Sequence, residues 1–532
     1  MSSSAMAASS EVPAIGDPRS EIFLPSRLVT AAYCLLCGLS LIPFLWFSEP
    51  PITDFANHAA RLFIACHQSD SAFAAMYQYR IGIIPNLAVD AVNLPFCGLV
   101  GSSMLLRLVT AGSLALIYLS GWMIQRKLFG RPNAFLFLVP AIAFNLVTLM
   151  GYMNYLAGIA IVCLMVAWAV GGERPLKSLM LVCNIGGLAL FFCHIFALVF
   201  GMMVFFGLML TREELTVSGI FRAGVRTLAM FAAPIAMMGF VPTSEHGLRI
   251  GYGDKLRAFP PLIMSKTFSM RLCGVGLIAA LYLAVRNKLA EISPALSLSL
   301  AVVGLFVVFG PNQIQQGYDV DVRTLVALAY LGLMSLKPLR LEARTTAIVG
   351  AASAVLVGTQ LWAAVTIWQP FARQVDEFRS ATDVLPAAAR VLPLTDVNDS
   401  GLVAWPTAYI HVTSYATIDR HIFNPLDFTG VGMQPLVATP AFAPISPGVG
   451  AVIYSSEANK LADPTPMTEQ AASHYRPYGF ALHWPQKFDY VVYYHFGRPK
   501  NFNPAALTEV RSGRFFTIFK VKHPAPATPE TR

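Results

Sequence analysis

The chain has 532 residues, of which 55% are hydrophobic and 13% charged. A soluble domain carries about 25% charged residues, so this composition excludes a water-soluble globular protein and indicates a polytopic membrane protein. The formal net charge of +9 contains no dense Lys/Arg run. That excludes a nucleic-acid surface and fits basic cytoplasmic loops that orient membrane spans.

Residues 1–26 are small, polar and Pro-containing and read as a disordered cytoplasmic tail. Residues 28–47 read as an uncleaved signal-anchor span. A long outer loop follows at 48–103 and opens with Glu49-Pro-Pro-Ile-Thr-Asp54-Phe-Ala-Asn-His58-Ala-Ala-Arg61. A helix starting at Thr53 or Asp54 sets Asp54, His58 and Arg61 at i, i+4 and i+7, on one face. The same loop holds Asn86 and Asp90, and its amphipathic pieces are expected on the membrane surface.

Further spans are expected at 105–124, 135–150, 155–170, 179–192, 196–210, 228–241, 273–285, 296–309, from 325, and at 348–368, about eleven in all. The short connections assigned to the cytoplasm carry Lys or Arg, as at Arg126, Lys127, Arg174 and Lys177. The short outer turns at Asn154 and His194 carry none. A second long outer loop, 242–271, holds Arg249 and Lys255, and an outer turn holds Asp319, Asp321 and Arg323.

From residue 369 onward prolines and polar residues rise. A helix is expected at 371–385 and strands at 451–455, 488–494 and 515–521. The fold expected is an α-helical polytopic membrane protein, its transmembrane domain at 27–368, with a C-terminal extracytoplasmic α/β domain at 369–523. Residues 524–532 read as a disordered tail. Most of the eight cysteines lie in apolar runs, where a thiol behaves as a small hydrophobe. Cys66 and Cys97 share the first outer loop and are a candidate pair.

The conspicuous polar groups gather on one side of the membrane: Asp54, His58 and Arg61; Asn86 and Asp90; Tyr152 and Asn154; His194; the 249–257 stretch; and Asp319, Asp321 and Arg323. Ionisable groups at membrane depth are expensive and tend to line sites or paths. A transporter places them mid-span beside broken helices. Here they sit at outer ends, which indicates chemistry at the outer membrane–water interface. Plainer readings stand beside this one. Asp54 or Thr53 caps a helix, His194 packs at a helix end, Asn154 favours a turn, and Asp321 and Arg323 pair structurally. His411, His421, His474, His483 and His495 lack ligand spacing and read as structural or as part of an acceptor surface.

Asp54-Phe-Ala-Asn-His58-Ala-Ala-Arg61 directly after the first span, with Pro85-Asn86 and Gly151-Tyr-Met-Asn-Tyr155, resembles the GT-C class of polytopic glycosyltransferases. The architectural likeness covers roughly residues 27–368 and the motifs about 25 residues. The resemblance implies a bacterial inner-membrane enzyme with a cytoplasmic N-terminus and an extracytoplasmic C-terminal domain. It implies inverting transfer of a sugar from a polyprenyl-phosphate donor to a glycan or lipid acceptor. Asp54 is then the general base, with His58 sharing that role. Arg61, Arg249, Lys255 and Arg323 are candidates for the donor phosphate, and Asn86, Asp90, Asn154, His194 and Asp321 for lining the site. Many members carry two acids in this loop; here Phe55 and Ala56 follow Asp54, so the partner is Asp90 or the role passes to His58. A divalent cation, magnesium or manganese, is left open, because Asp54 and His58 are too few ligands to define a site. Rival readings are a transporter or flippase for a lipid-linked or anionic substrate, a non-enzymatic envelope assembly protein, and a lipid-phosphate hydrolase or phosphotransferase.

Overall fold

The computed structural model describes residues 26–241, 250–253, 268–314, 317–339, 342–396, 404–430, 432–447, 452–463, 476–495 and 505–523. The apolar runs fold as helices, the one open segment that satisfies its own backbone in hydrocarbon. The first is α1 (Ser26–Trp46). The loop after it is structured rather than laid on a surface: α2 (Phe55–Cys66), α3 (Ser71–Met76), β1 (Tyr77–Tyr79) and α4 (Ala88–Asn93). α2 buries Phe55 through Leu62 without interruption, so it is enclosed on all sides and is not the interfacial helix the sequence suggests.

The bundle continues with α5 (Ser102–Phe129), α6 (Leu138–Ala141), α7 (Leu146–Met150), α8 (Met153–Ala169), α9 (Leu176–Cys193), α10 (Ile195–Leu210), α11 (Val217–Met230) and α12 (Ala232–Met238). Then come β2 (Ile250–Gly251), α13 (Phe268–Arg286), β3 (Ala290–Ile292), α14 (Pro294–Phe309), β4 (Gln313–Ile314), α15 (Val320–Ser335), β5 (Leu336–Pro338) and α16 (Glu342–Ala363). β2 pairs with β4 and β3 with β5 as short antiparallel clips between helices. α16 runs on through a π-helical turn, Ala364–Trp368, into α17 (Gln369–Ala381). Trp368 of that turn is buried against Phe44 and Phe144, which ties the last long helix back to α1.

Among the described residues four helices are long and apolar enough to cross a membrane: Arg27–Trp46, Ser102–Phe129, Leu176–Cys193 and Ala343–Val384. The bent pair Val217–Met230 and Ala232–Met238 makes a fifth if counted as one span. Shorter apolar helices of 10–17 residues occupy five more of the expected positions. Two expected spans are broken, and an asparagine marks each break. Between α6 and α7, Asn145 donates to the Ile142 carbonyl (2.7 Å) and to the Tyr330 hydroxyl (3.0 Å), and its own oxygen accepts from the Thr148 N–H (3.1 Å). At the 70° bend after Met230, Asn184 accepts from the Ala233 N–H (2.8 Å) ahead of Pro234. Freed backbone groups are thus satisfied by side chains, the condition for a break inside a protein-lined bundle.

Beyond α17 lie β6 (Val391–Asp396), α18 (Ser414–Arg420), β7 (Leu436–Ala438), α19 (Ser455–Ala462), β8 (Tyr490–His495), β9 (Leu507–Ser512) and β10 (Phe516–Val521). Their sheet has the order β6-β8-β10-β9, with β6 parallel to β8 and the other pairs antiparallel. The strand expected at 451–455 is absent over residues 452–454. The chain there starts α19 instead, because the Ser455 N–H donates to Asp396 Oδ1 (3.0 Å) and the Tyr454 N–H to Glu457 Oε2 (3.2 Å).

The loop after α1 and the C-terminal region share one core. Phe73, Met76 and Tyr77 pack in the same cluster as Leu392, Leu394, Val491 and Phe519. β1 pairs antiparallel with β7, setting Tyr77 opposite Ala438. Cys66 at the end of α2 is joined to Cys97 by a disulfide, which closes the loop around α3 and α4. Replacing both cysteines by serine is expected to cost about 3 kcal/mol through loop entropy, read as a lower Tm in detergent. An unchanged Tm contradicts that assignment.

Candidate active site

The start of α2 is fixed by the end of α7. The N–H groups of Thr53 and Asp54 donate to the carbonyls of Leu149 (3.0 Å) and Met150 (3.1 Å). The chain then turns at Gly151, with φ at +84°. A Cβ there would lie 2.9 Å from Ile52 Cγ2 and 3.0 Å from Asp54 Cβ, so only glycine allows both the conformation and the approach. Asp54 occupies the N-cap position but makes no side-chain cap bond. Its carboxylate is left for the site and is 17% exposed. Burial pushes its carboxyl up to about 7, against the opposing pull of the Arg323 charge.

Arg323 lies at the end of the first turn of α15. Its guanidinium stacks 3.4 Å above the Tyr152 ring, and Tyr152 donates its hydroxyl to Asp319 Oδ2 (3.1 Å). Nη1 of Arg323 is 3.3 Å from Nε2 of His194. The other ring nitrogen of His194 accepts from the Phe196 N–H (3.1 Å), so Nε2 carries the proton. Two donors therefore face each other with no acceptor between them among the described residues. Nε of Arg323 is also buried without a hydrogen-bond partner. Convergent, unanswered donors are what an anionic oxygen satisfies.

A second polar chain reaches Asp54 from the C-terminal region. Asn57 accepts from the Phe428 N–H (2.8 Å) and donates to the Leu426 carbonyl (2.7 Å), which fixes its amide orientation. Its remaining N–H donates to Nδ1 of His411 (3.1 Å). Nε2 of His411 lies 3.6 Å from Asp54 Oδ1. Burial pushes His411 down to about 4, so the ring is neutral. Below this chain Asp427 is buried and accepts from Ser414 (2.8 Å), Thr417 (2.9 Å), Tyr77 (2.9 Å) and Asn424 (3.0 Å).

The structure brings Asp54, His194 and Arg323 into one region and sends other expected residues elsewhere. Arg61 is fully buried and pairs with Asp90 at 2.6 Å, with Gln434 on its other nitrogen and Tyr79 on the second Asp90 oxygen (3.0 Å). A buried guanidinium demands such compensation, so Arg61 and Asp90 answer each other, with Arg61 Nε left without a hydrogen-bond partner among the described residues. Asp54, His58 and Arg61 therefore do not act as one constellation, and Asp90 is not the second acid beside Asp54. His58 is buried edge-on to Phe428, and burial followed by the Arg61 charge holds it well below the ordinary imidazole range. Asn154 accepts from the Val89 N–H (3.0 Å) and donates to the Asn86 carbonyl (3.1 Å), while Asn86 donates to the Met433 carbonyl (3.2 Å). These two asparagines anchor the first loop. Asp321 is buried in the first turn of α15. Two residues from Arg323, it leaves the helix on the opposite side. Arg249 and Lys255 lie outside the described residues.

Sequence reasoning missed the roles of Asn57, His411 and Asp427. The signal available was an amide inside the first motif and a histidine in a Pro-poor stretch of the C-terminal region, 354 residues away. Among the described residues no three His, Cys, Asp or Glu side chains gather as a metal site. At Asp54 one carboxylate faces a neutral imidazole and a guanidinium charge, a set that does not fit a divalent cation.

No family model matches the chain, and no curated protein matches it. Among solved structures it is similar to the cryo-EM structure of arabinofuranosyltransferase AftD from Mycobacteria, at 13% identity and a TM-score of 0.46. The alignment covers 94% of this chain and 40% of that one, so the chain spans about two-fifths of that structure's length.

The two acids separate by stability. The folded-state pKa of Asp54 is raised, so the native state holds its proton between about pH 4 and 7 while the unfolded chain releases it. This group therefore removes stability as pH rises through that window. Asp54→Asn is expected to keep or raise Tm at pH 7.5 and to flatten its pH dependence. Asp90→Ala strands the Arg61 charge and is expected to cost about 3–5 kcal/mol. Thermal melts of both variants across pH 5–8 check this; equal losses contradict it.

Proposed function

We propose that the chain is a membrane glycosyltransferase. It moves a sugar from a polyprenyl-phosphate donor to a glycan or lipid acceptor at the outer membrane–water interface. The observation that carries the reading is a buried, partly accessible carboxylate, Asp54, in the electrostatic reach of Arg323, whose guanidinium faces the Nε2–H of His194 donor to donor. A sugar phosphate needs both: a base for the attacking hydroxyl and a fixed positive surface for the leaving phosphate.

In the proposed reaction the acceptor hydroxyl attacks the anomeric carbon, and Asp54 takes its proton. The bond from that carbon to the phosphate oxygen breaks, and configuration inverts. The lipid phosphate departs with the electron pair, and its added charge falls on Arg323 and the His194 Nε2–H. A carboxyl near pH 7 suits a base that must both accept and later release a proton. Arg249 and Lys255 remain further candidates for the phosphate on the sequence reading. The disulfide supports an oxidising outer compartment for this loop, and the basic last turn of α5, Arg126 and Lys127, supports a cytoplasmic opposite end. A bacterial inner membrane is the setting this implies.

The broken helix that ends at Gly151 also favours a second reading, transport, because interrupted helices at a binding site are the transporter device. Transfer assays separate the two. Purified protein in detergent is offered radiolabelled polyprenyl-phosphate sugars with envelope glycan or lipid extracts. Wild type is expected to label an acceptor. Asp54→Asn is expected to lose about a thousandfold and Arg323→Ala about a hundredfold in kcat/KM. The rate is expected to rise with pH through a midpoint near 7 as Asp54 ionises. Donor binding without transfer, together with donor movement across vesicles, supports transport and contradicts this proposal.

A further inference from the structure

We infer that His411, supplied by the C-terminal region, is a positioning residue for Asp54: its Nε2–H holds the reactive carboxylate, and Asn57 fixes the tautomer that makes this possible. The inference rests on the proposed role of Asp54 as base. It adds a residue from outside the helical bundle, 354 positions from Asn57 in sequence.

The donors and acceptors around Asn57 admit one assignment. The backbone N–H of Phe428 can only donate, so the Asn57 atom facing it at 2.8 Å is the oxygen. The Leu426 carbonyl can only accept, so the atom facing it at 2.7 Å is the amide nitrogen. The remaining amide hydrogen points at His411 Nδ1, 3.1 Å away. Nδ1 is therefore an acceptor, and in a neutral ring the proton resides on Nε2. Nε2 faces Asp54 Oδ1 at 3.6 Å, a long contact across which the ring N–H still favours the ionised carboxylate. The ring itself is held edge-on by Phe428 at 5.6 Å.

The other groups facing Asp54 do not do this work. Arg323 of α15 acts on the carboxylate through its charge, with its guanidinium stacked on the Tyr152 ring. Tyr152 after Gly151 donates its hydroxyl to Asp319. Thr53, next to Asp54, donates to Thr407 at 3.1 Å. His58, one turn further along α2, is buried against Phe428. His411 is thus the neutral donor aimed at the carboxylate among the described residues. A donor there favours the ionised form, which a base must reach before it can act.

Two measurements on the full chain in detergent test this without any sugar donor. In protein labelled with nitrogen-15 histidine, the His411 ring (assigned by its loss in His411→Gln) is expected as the Nε2–H tautomer, and Asn57→Ala is expected to give a mixture. Infrared difference titration, each protein minus its Asp54→Asn counterpart, reports the carboxyl directly. His411→Phe keeps the ring and removes the donor, and is expected to raise the Asp54 midpoint by about one unit. His411→Gln restores a donor at the Nε2 position and is expected to return the midpoint toward wild type. An Nδ1–H tautomer in wild type, or an unmoved midpoint in a folded His411→Phe protein, overturns the inference. Because neither readout uses a donor substrate, failure here is distinct from failure of the transferase reading.

Discussion

The backbone bonds that seat Thr53 and Asp54 in the Gly151 turn are the constraint on which the rest of the site depends. They lock the start of α2 to the break after α7, and the absence of a side chain at Gly151 lets the two segments touch. The other side of α2 is held by Asn57, whose amide is bonded to both the backbone and a side chain of the C-terminal region. The first loop is thus clamped between a membrane bundle and a small sheet. A carboxylate placed there is largely withdrawn from water, and that burial is what raises its proton affinity.

In a chain this poor in charge, the fate of each charged group separates structure from chemistry. Arg61 and Asp90 answer each other in the interior. Arg379 binds Asp419 through two nitrogens and also reaches Glu49, joining α17 to the segment before Asp54. Asp427 collects four donors. These groups are spent on holding the loop after α1 and the C-terminal region together. Asp54 and Arg323 are not spent in this way. Among the described residues the first has a long approach from His411, and the second meets the Nε2–H of His194 donor to donor. Stability is given up where a substrate is expected to supply the missing contacts.

The sequence made much of this legible. Low charge and long apolar runs announce a polytopic chain. An acid immediately after the first span stands out against that background, as does a guanidinium at the end of an outer turn, and Asp54 and Arg323 do lie in one region. The helix over 371–385 and the strands near 488–494 and 515–521 follow from periodicity and form where expected. What stayed hidden depends on partners distant in the chain. Arg61 and Asp90 look like site residues because sequence shows that a charge exists and not which neighbour neutralises it. His411 has no local motif, and its meaning comes from Asn57 and Asp54. The breaks between α6 and α7 and after Met230 fall in stretches that read as continuous spans, because hydropathy does not register a single amide that satisfies a cut backbone.

The most direct test of the account is a cryo-EM structure of the full chain bound to a polyprenyl sugar phosphonate that cannot be transferred. The account predicts the phosphonate oxygens between Arg323 and His194 Nε2, and the anomeric carbon facing the Asp54 carboxylate across the acceptor space. A phosphonate seated elsewhere in the bundle, or a sugar that cannot approach Asp54, contradicts it.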